Sequence, residues 1–156
     1  MSKKLKFIVA SDHTDRGNLI LKEIVEFLGA QGHRGVIYDK VCGPSDDFPL
    51  IAQGAVEQVR SGDFDRAILI GGHGSGMAIV ANKFKGIRAA VVRNHREMRA
   101  SAERDDPNVI CLPAWSSARE EMILVLRTWL AAELSVDEKY GRRREEILEI
   151  EEKNFR

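Results

Sequence analysis

Five short apolar runs rich in β-branched residues alternate along this chain with segments of helical period, and that alternation predicts βαβ units around a parallel sheet. Leu5–Ser11 reads as the first strand, an apolar run of the kind buried on both faces. Val36–Tyr38, Ala67–Ile70, Arg88–Val92 and Val109–Leu112 read as the other four. Between them, Gly17–Ala30 predicts a helix with Ile20, Ile24, Phe27 and Leu28 on one face. Further helices are expected over Leu50–Arg60, Ala78–Phe84, His95–Glu103 and Ala118–Ala132. A last, highly charged helix spans about Asp137–Lys153. At 156 residues, with no linker, repeat or low-complexity segment, the chain suits one domain.

The third strand runs into Gly71-Gly72-His73-Gly74-Ser75-Gly76, four glycines in six positions, and then into a helix-forming segment. Glycine allows positive φ and close backbone approach to a ligand. Successive N–H groups in such a turn form a positively polarised hollow for an anion or a developing oxyanion. Three familiar loops are excluded. A nucleotide hydrolase loop needs Lys and Ser/Thr after its last glycine, and Met77-Ala78 stand there. The dinucleotide fingerprint fails at its sixth position, which is Met77. A nucleophile elbow around Ser75 fails because His73 and Met77 occupy its glycine positions. In an open parallel sheet, ligands bind beyond the carboxyl ends of the strands. Ser11-Asp12-His13, the glycine loop and the segment after Leu112 should therefore converge.

Lys+Arg and Asp+Glu each number 24, so a net charge of zero gives no support for a nucleic-acid partner. Cys42 and Cys111 make no disulfide framework. No apolar run approaches membrane-spanning length, and the segment before the first strand is too short for a signal peptide, so a cytoplasmic protein is expected.

The ordered motifs Ala10-Ser11-Asp12-His13, Asp46-Asp47-Phe48-Pro49, Ile68–Gly76, Ala81-Asn82-Lys83, Gly86–Ala90 and Asp105–Val109 resemble the type B ribose-5-phosphate isomerases and their galactose-6-phosphate isomerase relatives. The likeness runs from about Lys6 to about Leu148. It implies a three-layer αβα, Rossmann-like sandwich with a five-stranded parallel sheet. It also implies a homodimer whose last helix packs on the partner subunit, with pairing into tetramers left open. The implied reaction interconverts aldose and ketose phosphates through an enediolate, with no metal or cofactor, and its ligand is a sugar phosphate or similar anion. Neither nucleic acid nor membrane is an expected partner.

Carried over residue by residue, the resemblance places Asp12 and His13 at the substrate's oxygens and Gly72, Gly74, Ser75 and Gly76 in the anion loop. It also brings Arg104-Asp105 to the substrate and leaves Arg144 as the surviving phosphate arginine, Trp115 and Tyr140 standing where two others would be. The family's usual base is a cysteine at the position of Gly71, and its alternative is a glutamate at that of Met77; this chain has neither. His73, Asp12 and Cys42 are the candidates for a replacement base. An imidazole titrates near neutrality and suits reversible proton transfer. Asp12 could equally be a hydrogen-bond anchor, and Cys42 an ordinary packed thiol. Arg104 replaces the ring-opening histidine, and a guanidinium does not trade protons at neutral pH. The expected substrate is therefore already open-chain, such as a four-carbon sugar phosphate, or carries a carboxylate. The alternative is a sugar-phosphate-binding protein that kept the pocket and lost the chemistry.

Overall fold

The structure, a computed structural model, describes residues 3–12, 15–39 and 47–155, without the side chains of 15–18. Its strands are β1 (Lys6–Ser11), β2 (Arg34–Ile37), β3 (Arg66–Gly71), β4 (Ala89–Val91) and β5 (Val109–Pro113). The helices are α1 (Asp15–Ala30), α2 (Phe48–Arg60), α3 (Ser75–Ala81), α4 (His95–Arg104), α5 (Arg119–Ala131) and α6 (Glu138–Asn154). All four strand pairings are parallel, in the order β2-β1-β3-β5-β4. The predicted single α/β domain with its five-stranded parallel sheet is the fold observed.

The period of two along the central strands divides the core between two layers. Phe7, Val9, Ile68, Ile70, Ile110 and Leu112 face one way, against Ile20, Ile24 and Leu28 of α1, Met98 of α4 and Met122, Leu126 and Trp129 of α5. Ile8, Ala10, Ala67, Leu69, Val109 and Cys111 face the other way, against Ile51, Ala52 and Val56 of α2 and Met77, Ala78 and Ala81 of α3. Burial pushes the Cys111 thiol up to about 12, so it packs as a small apolar group.

Most predicted elements differ from the observed ones by a residue or two at their ends. The helix after the glycine loop differs more: it starts at Ser75 rather than Ala78 and ends at Ala81 rather than Phe84. Gly74, at φ 80°, turns the chain sharply enough for the helix to begin inside the loop. It stops at Asn82 because that side chain binds β4 instead. Its Nδ2 donates to the Ala89 carbonyl at 2.9 Å, and its Oδ1 accepts the Ala89 amide at 2.8 Å.

Helix α6 lies outside both layers and buries none of its residues. It is tied down at few points: Glu151 Oε1 accepts the Gly86 amide at 2.6 Å, and Lys85 pairs with Glu152 at 2.8 Å. Ile147, Leu148 and Ile150 remain exposed on it. Among the described residues, no helix is long and apolar enough to cross a membrane.

Asp65 clasps the start of the sheet. Its Oδ2 accepts the Lys6 amide at 2.8 Å, and its own amide donates to the Lys6 carbonyl at 2.9 Å. The Lys6 amide is the main cause that holds the Asp65 carboxyl below its ordinary value, with Lys3 adding to it against a desolvation penalty. A lowered pKa contributes stability above the unfolded value of about 3.9 and loses it as pH falls through the folded value. Asp65→Asn is therefore expected to lower the urea midpoint at pH 7 and to change it less at pH 3. Equal losses at both pH values would show that the carboxylate charge plays no part.

Candidate active site

The strand order reverses between β1 and β3: β2 lies on one side of this pair, β5 and β4 on the other. Chains leaving two adjacent strands toward opposite faces open a crevice at their carboxyl ends. Asp12 follows β1 there and the glycine loop follows β3. A cleft of about 250 Å³ occupies the position, lined by Asp12, Phe48, Gly71, Gly72, His73, Gly74, Gly76, Met77 and Trp115. It is smaller than the ~300–1,000 Å³ of pockets for drug-sized ligands. The expected convergence of the first strand's end, the loop and the segment after β5 is therefore present.

Pairing beyond the strand ends holds this geometry. The Asp12 amide donates to the Ile70 carbonyl at 3.0 Å. On the other side, Ala114 and Trp115 donate to the carbonyls of Gly71 and Gly72, each at 2.9 Å. The Gly72 amide donates to Asp12 Oδ2 at 3.0 Å. One amide of the expected anion loop is thus already committed to the chain's own carboxylate. The first backbone bond of α3 runs from the Ala78 amide to the Gly74 carbonyl at 3.2 Å. Helix geometry therefore leaves the amides of Ser75, Gly76 and Met77 without a carbonyl one turn back.

Three of the loop glycines face close neighbours. A Cβ on Gly71 would stand 3.2 Å from Met77 Cγ and 3.3 Å from Asp12 Oδ2, so the Asp12 carboxylate borders the space a side chain at 71 would enter. One on Gly72 would meet Trp115 Cε2 and Cζ2 at 2.6 Å, and one on Gly76 would meet Phe48 Cε2 at 2.7 Å. His73 is exposed, its ring edge-on to Trp115 with centroids 6.0 Å apart.

Of the sequence-predicted residues, Asp12, His73, Gly71, Gly72, Gly74 and Gly76 line the cleft. Ser75 opens α3 beside it. His13 and Cys42 lie outside the described residues. Arg104, Asp105 and Arg144 do not join the cleft within one chain. Arg104 ends α4, stacked over Tyr140 of α6 at 5.3 Å, and Arg144 Nη1 donates to its carbonyl at 3.1 Å. Asp105 lines a separate groove of about 280 Å³ with Ile147 and Leu148 of α6. Phe48 and Trp115 also line the cleft; the sequence has Trp115 only at the position of a phosphate arginine and Phe48 only within a shared motif, and assigns neither ring a role there. The signal available was an exposed-type aromatic just beyond a strand's carboxyl end, and another opening a helix beside Pro49.

A glycine loop beside a carboxylate and an imidazole, at the switch point of a parallel sheet, defines a Rossmann-like protein with a small ligand cleft. The profile of the ribose/galactose isomerase family matches residues 7–147, and the chain belongs to that family. Its class of activity is that of a sugar phosphate aldose–ketose isomerase. The Bacillus subtilis protein YwlF, which carries the name of a sugar phosphate isomerase, is 35% identical over 97% of this chain and 100% of its own. A 4-deoxy-4-sulfo-D-erythrose isomerase from a Clostridium species is 34% identical over 71% of this chain and 69% of its own. D-erythrulose-4-phosphate isomerase 2 of Mycolicibacterium smegmatis is 31% identical over 83% of this chain and 86% of its own. Among solved structures, ribose-5-phosphate isomerase B of Clostridium thermocellum superposes with a TM-score of 0.84 at 35% identity, covering 96% of this chain and 99% of that one.

Proposed function

We propose that this chain interconverts the aldose and ketose forms of a short, open-chain sugar with a terminal anion, a four-carbon sugar phosphate being the expected substrate. The observation that carries this reading is the small cleft in which Asp12, His73 and the glycine loop meet. His73 removes the proton from the hydroxyl-bearing carbon beside the carbonyl and delivers it to the former carbonyl carbon, while the hydroxyl proton passes to the former carbonyl oxygen. One carbon is oxidised, its neighbour is reduced and no net oxidation occurs. Asp12, oriented by the Gly72 amide, holds a substrate hydroxyl. The amides opening α3 stabilise the enediolate oxygen, whose charge develops only near the transition state. An open-chain substrate fits Arg104, which cannot relay protons for ring opening. The names of two relatives, each an isomerase of a four-carbon sugar with a phosphate or sulfonate, support the same chain length.

Among the described residues the cleft's lining includes no lysine or arginine, although the substrate's terminal anion needs a counter-charge. Helix α6 offers one, since it carries Arg144 and leaves Ile147, Leu148 and Ile150 exposed. We therefore assign the functional unit as a homodimer. In it, α6 packs on the second copy, and Arg104 and Arg144 reach that copy's cleft.

Solvent deuterium exchange, followed by NMR with tetrose and pentose phosphates, tests the reading, with sedimentation at the assay concentration. Deuterium incorporation into the tetrose phosphate by a dimer is expected, with ribose 5-phosphate turned over at least ~10-fold more slowly. Equal turnover of both sugars would overturn the substrate assignment. Binding without exchange would mark the chain as a sugar-phosphate binder.

A further inference from the structure

Two aromatic side chains stand in the cleft without contributing to the fold's interior. Trp115 is 66% exposed and Phe48 41% exposed, and neither belongs to the two apolar clusters of the core. Large apolar side chains are ordinarily buried, and an exposed aromatic pair sharing a small cleft marks a contact surface for a ligand. Their backbones are nevertheless held firmly. The Trp115 amide donates to the Gly72 carbonyl, extending the pairing of β5 with β3 by two residues. Phe48 is the first residue of α2, followed at once by Pro49, which suits the opening turn of a helix.

Each ring fills the side-chain space of a loop glycine. The six-membered edge of the Trp115 indole lies where a side chain on Gly72 would be, and the Phe48 ring lies where one on Gly76 would be. The two rings thus flank the loop near its start and near its end. What they leave is about 250 Å³, a space that also holds Asp12 and His73 on its walls.

We infer that Trp115, assisted by Phe48, sets the length of the sugar chain this site accepts. Trp115 offers a flat apolar face and one neutral N–H donor, and Phe48 offers no polar group. Such walls suit the C–H faces and hydroxyls of a short sugar and repel a phosphate dianion, which loses hydration there without gaining a counter-charge. The charged end of the ligand is therefore directed away from the indole, and each added carbon must displace a ring. The inference rests on the isomerase reading for what the ligand is, but it predicts a binding selectivity that can be measured without turnover.

The probes are non-reacting linear polyol phosphates, erythritol 4-phosphate and ribitol 5-phosphate, titrated calorimetrically into the full chain. The wild-type protein is expected to bind the four-carbon ligand at least ~10-fold more tightly than the five-carbon one. In Trp115→Ala this ratio falls to within about threefold, chiefly because the five-carbon ligand gains affinity, and Trp115→Phe restores part of it. Phe48→Ala is a second variant with a change in the same direction. Equal wild-type affinity for both ligands, no binding of either, or an equal loss for both in Trp115→Ala would overturn the inference. The same variants assayed for isomerisation separate it from the reading beneath it. Length-selective binding without turnover of any sugar phosphate refutes the isomerase and leaves the gate standing.

Discussion

His73→Gln is expected to lower kcat on the four-carbon sugar phosphate by about 10²–10⁴-fold, the usual contribution of a positioned acid–base group. The fold should not register the change. His73 is exposed, and its ring approaches Trp115 edge-on. Substitutions at such surface positions usually stay within ~0.5 kcal/mol. Glutamine keeps hydrogen-bonding capacity but cannot accept and return a proton near neutral pH, so the loss should fall on kcat with KM little changed. Asp12→Asn is the necessary comparison. It keeps a side-chain oxygen for the Gly72 amide and removes the carboxylate charge. If Asp12→Asn abolishes deuterium exchange while His73→Gln retains it, the carboxylate is the base and the imidazole a bystander. The geometry leaves that outcome open to experiment, because Asp12 Oδ2 borders the space above Gly71.

Gly72→Ala is expected to cost about 10²-fold in kcat/KM while changing stability by less than about 1 kcal/mol, as read from the urea midpoint. The separation of the two effects follows from what a single methyl group meets. At 2.6 Å from Cε2 and Cζ2, it cannot coexist with the Trp115 ring, so the ring must swing away. Trp115 is exposed and outside the core, so moving it opens no cavity in the interior. The φ of Gly72 is not in the left-handed region, and alanine adds no backbone strain there. The damage falls on the cleft wall alone. Unchanged kcat/KM would show that the indole takes no part in forming the site.

The two predictions draw on different kinds of information, and this difference marks how much the sequence could disclose. His73 is legible as a candidate proton carrier because an imidazole's chemistry is intrinsic to the residue and its loop is declared by glycines next to it in sequence. The strands were visible for a similar reason. A strand buried on both faces must be apolar at nearly every position, as Phe7–Ala10 and Ile68–Ile70 are. The helices announced their inner faces by period: Met122, Val125, Leu126 and Trp129 of α5 and Ile20, Ile24 and Leu28 of α1 are buried, while Phe27 of the expected α1 face is half-buried and Leu21 is buried beside them.

Other features depend on distance in space. The β2-β1-β3-β5-β4 order, which places the crevice between β1 and β3, follows from how the crossovers pack and not from any one segment. The early start of α3 at Ser75 depends on the left-handed turn at Gly74, and its early end depends on Asn82 binding Ala89 of β4, seven residues further along the chain. The commitment of the Gly72 amide to Asp12 spans sixty positions in sequence. Trp115 stands at the position of a phosphate arginine and Phe48 falls within the Asp46–Pro49 motif, but neither signal ties its ring to a particular loop glycine; the folded sheet brings each ring there.

What the sequence determined by itself was therefore the layer architecture, the buried faces and the chemical vocabulary of the site, all of which are local properties of neighbouring residues. The tertiary structure alone decided which of those groups meet, which loop amide is already taken, and how little room the aromatic walls leave. These depend on packing between segments far apart in the chain, where small displacements of a ring or an amide change what a ligand can reach.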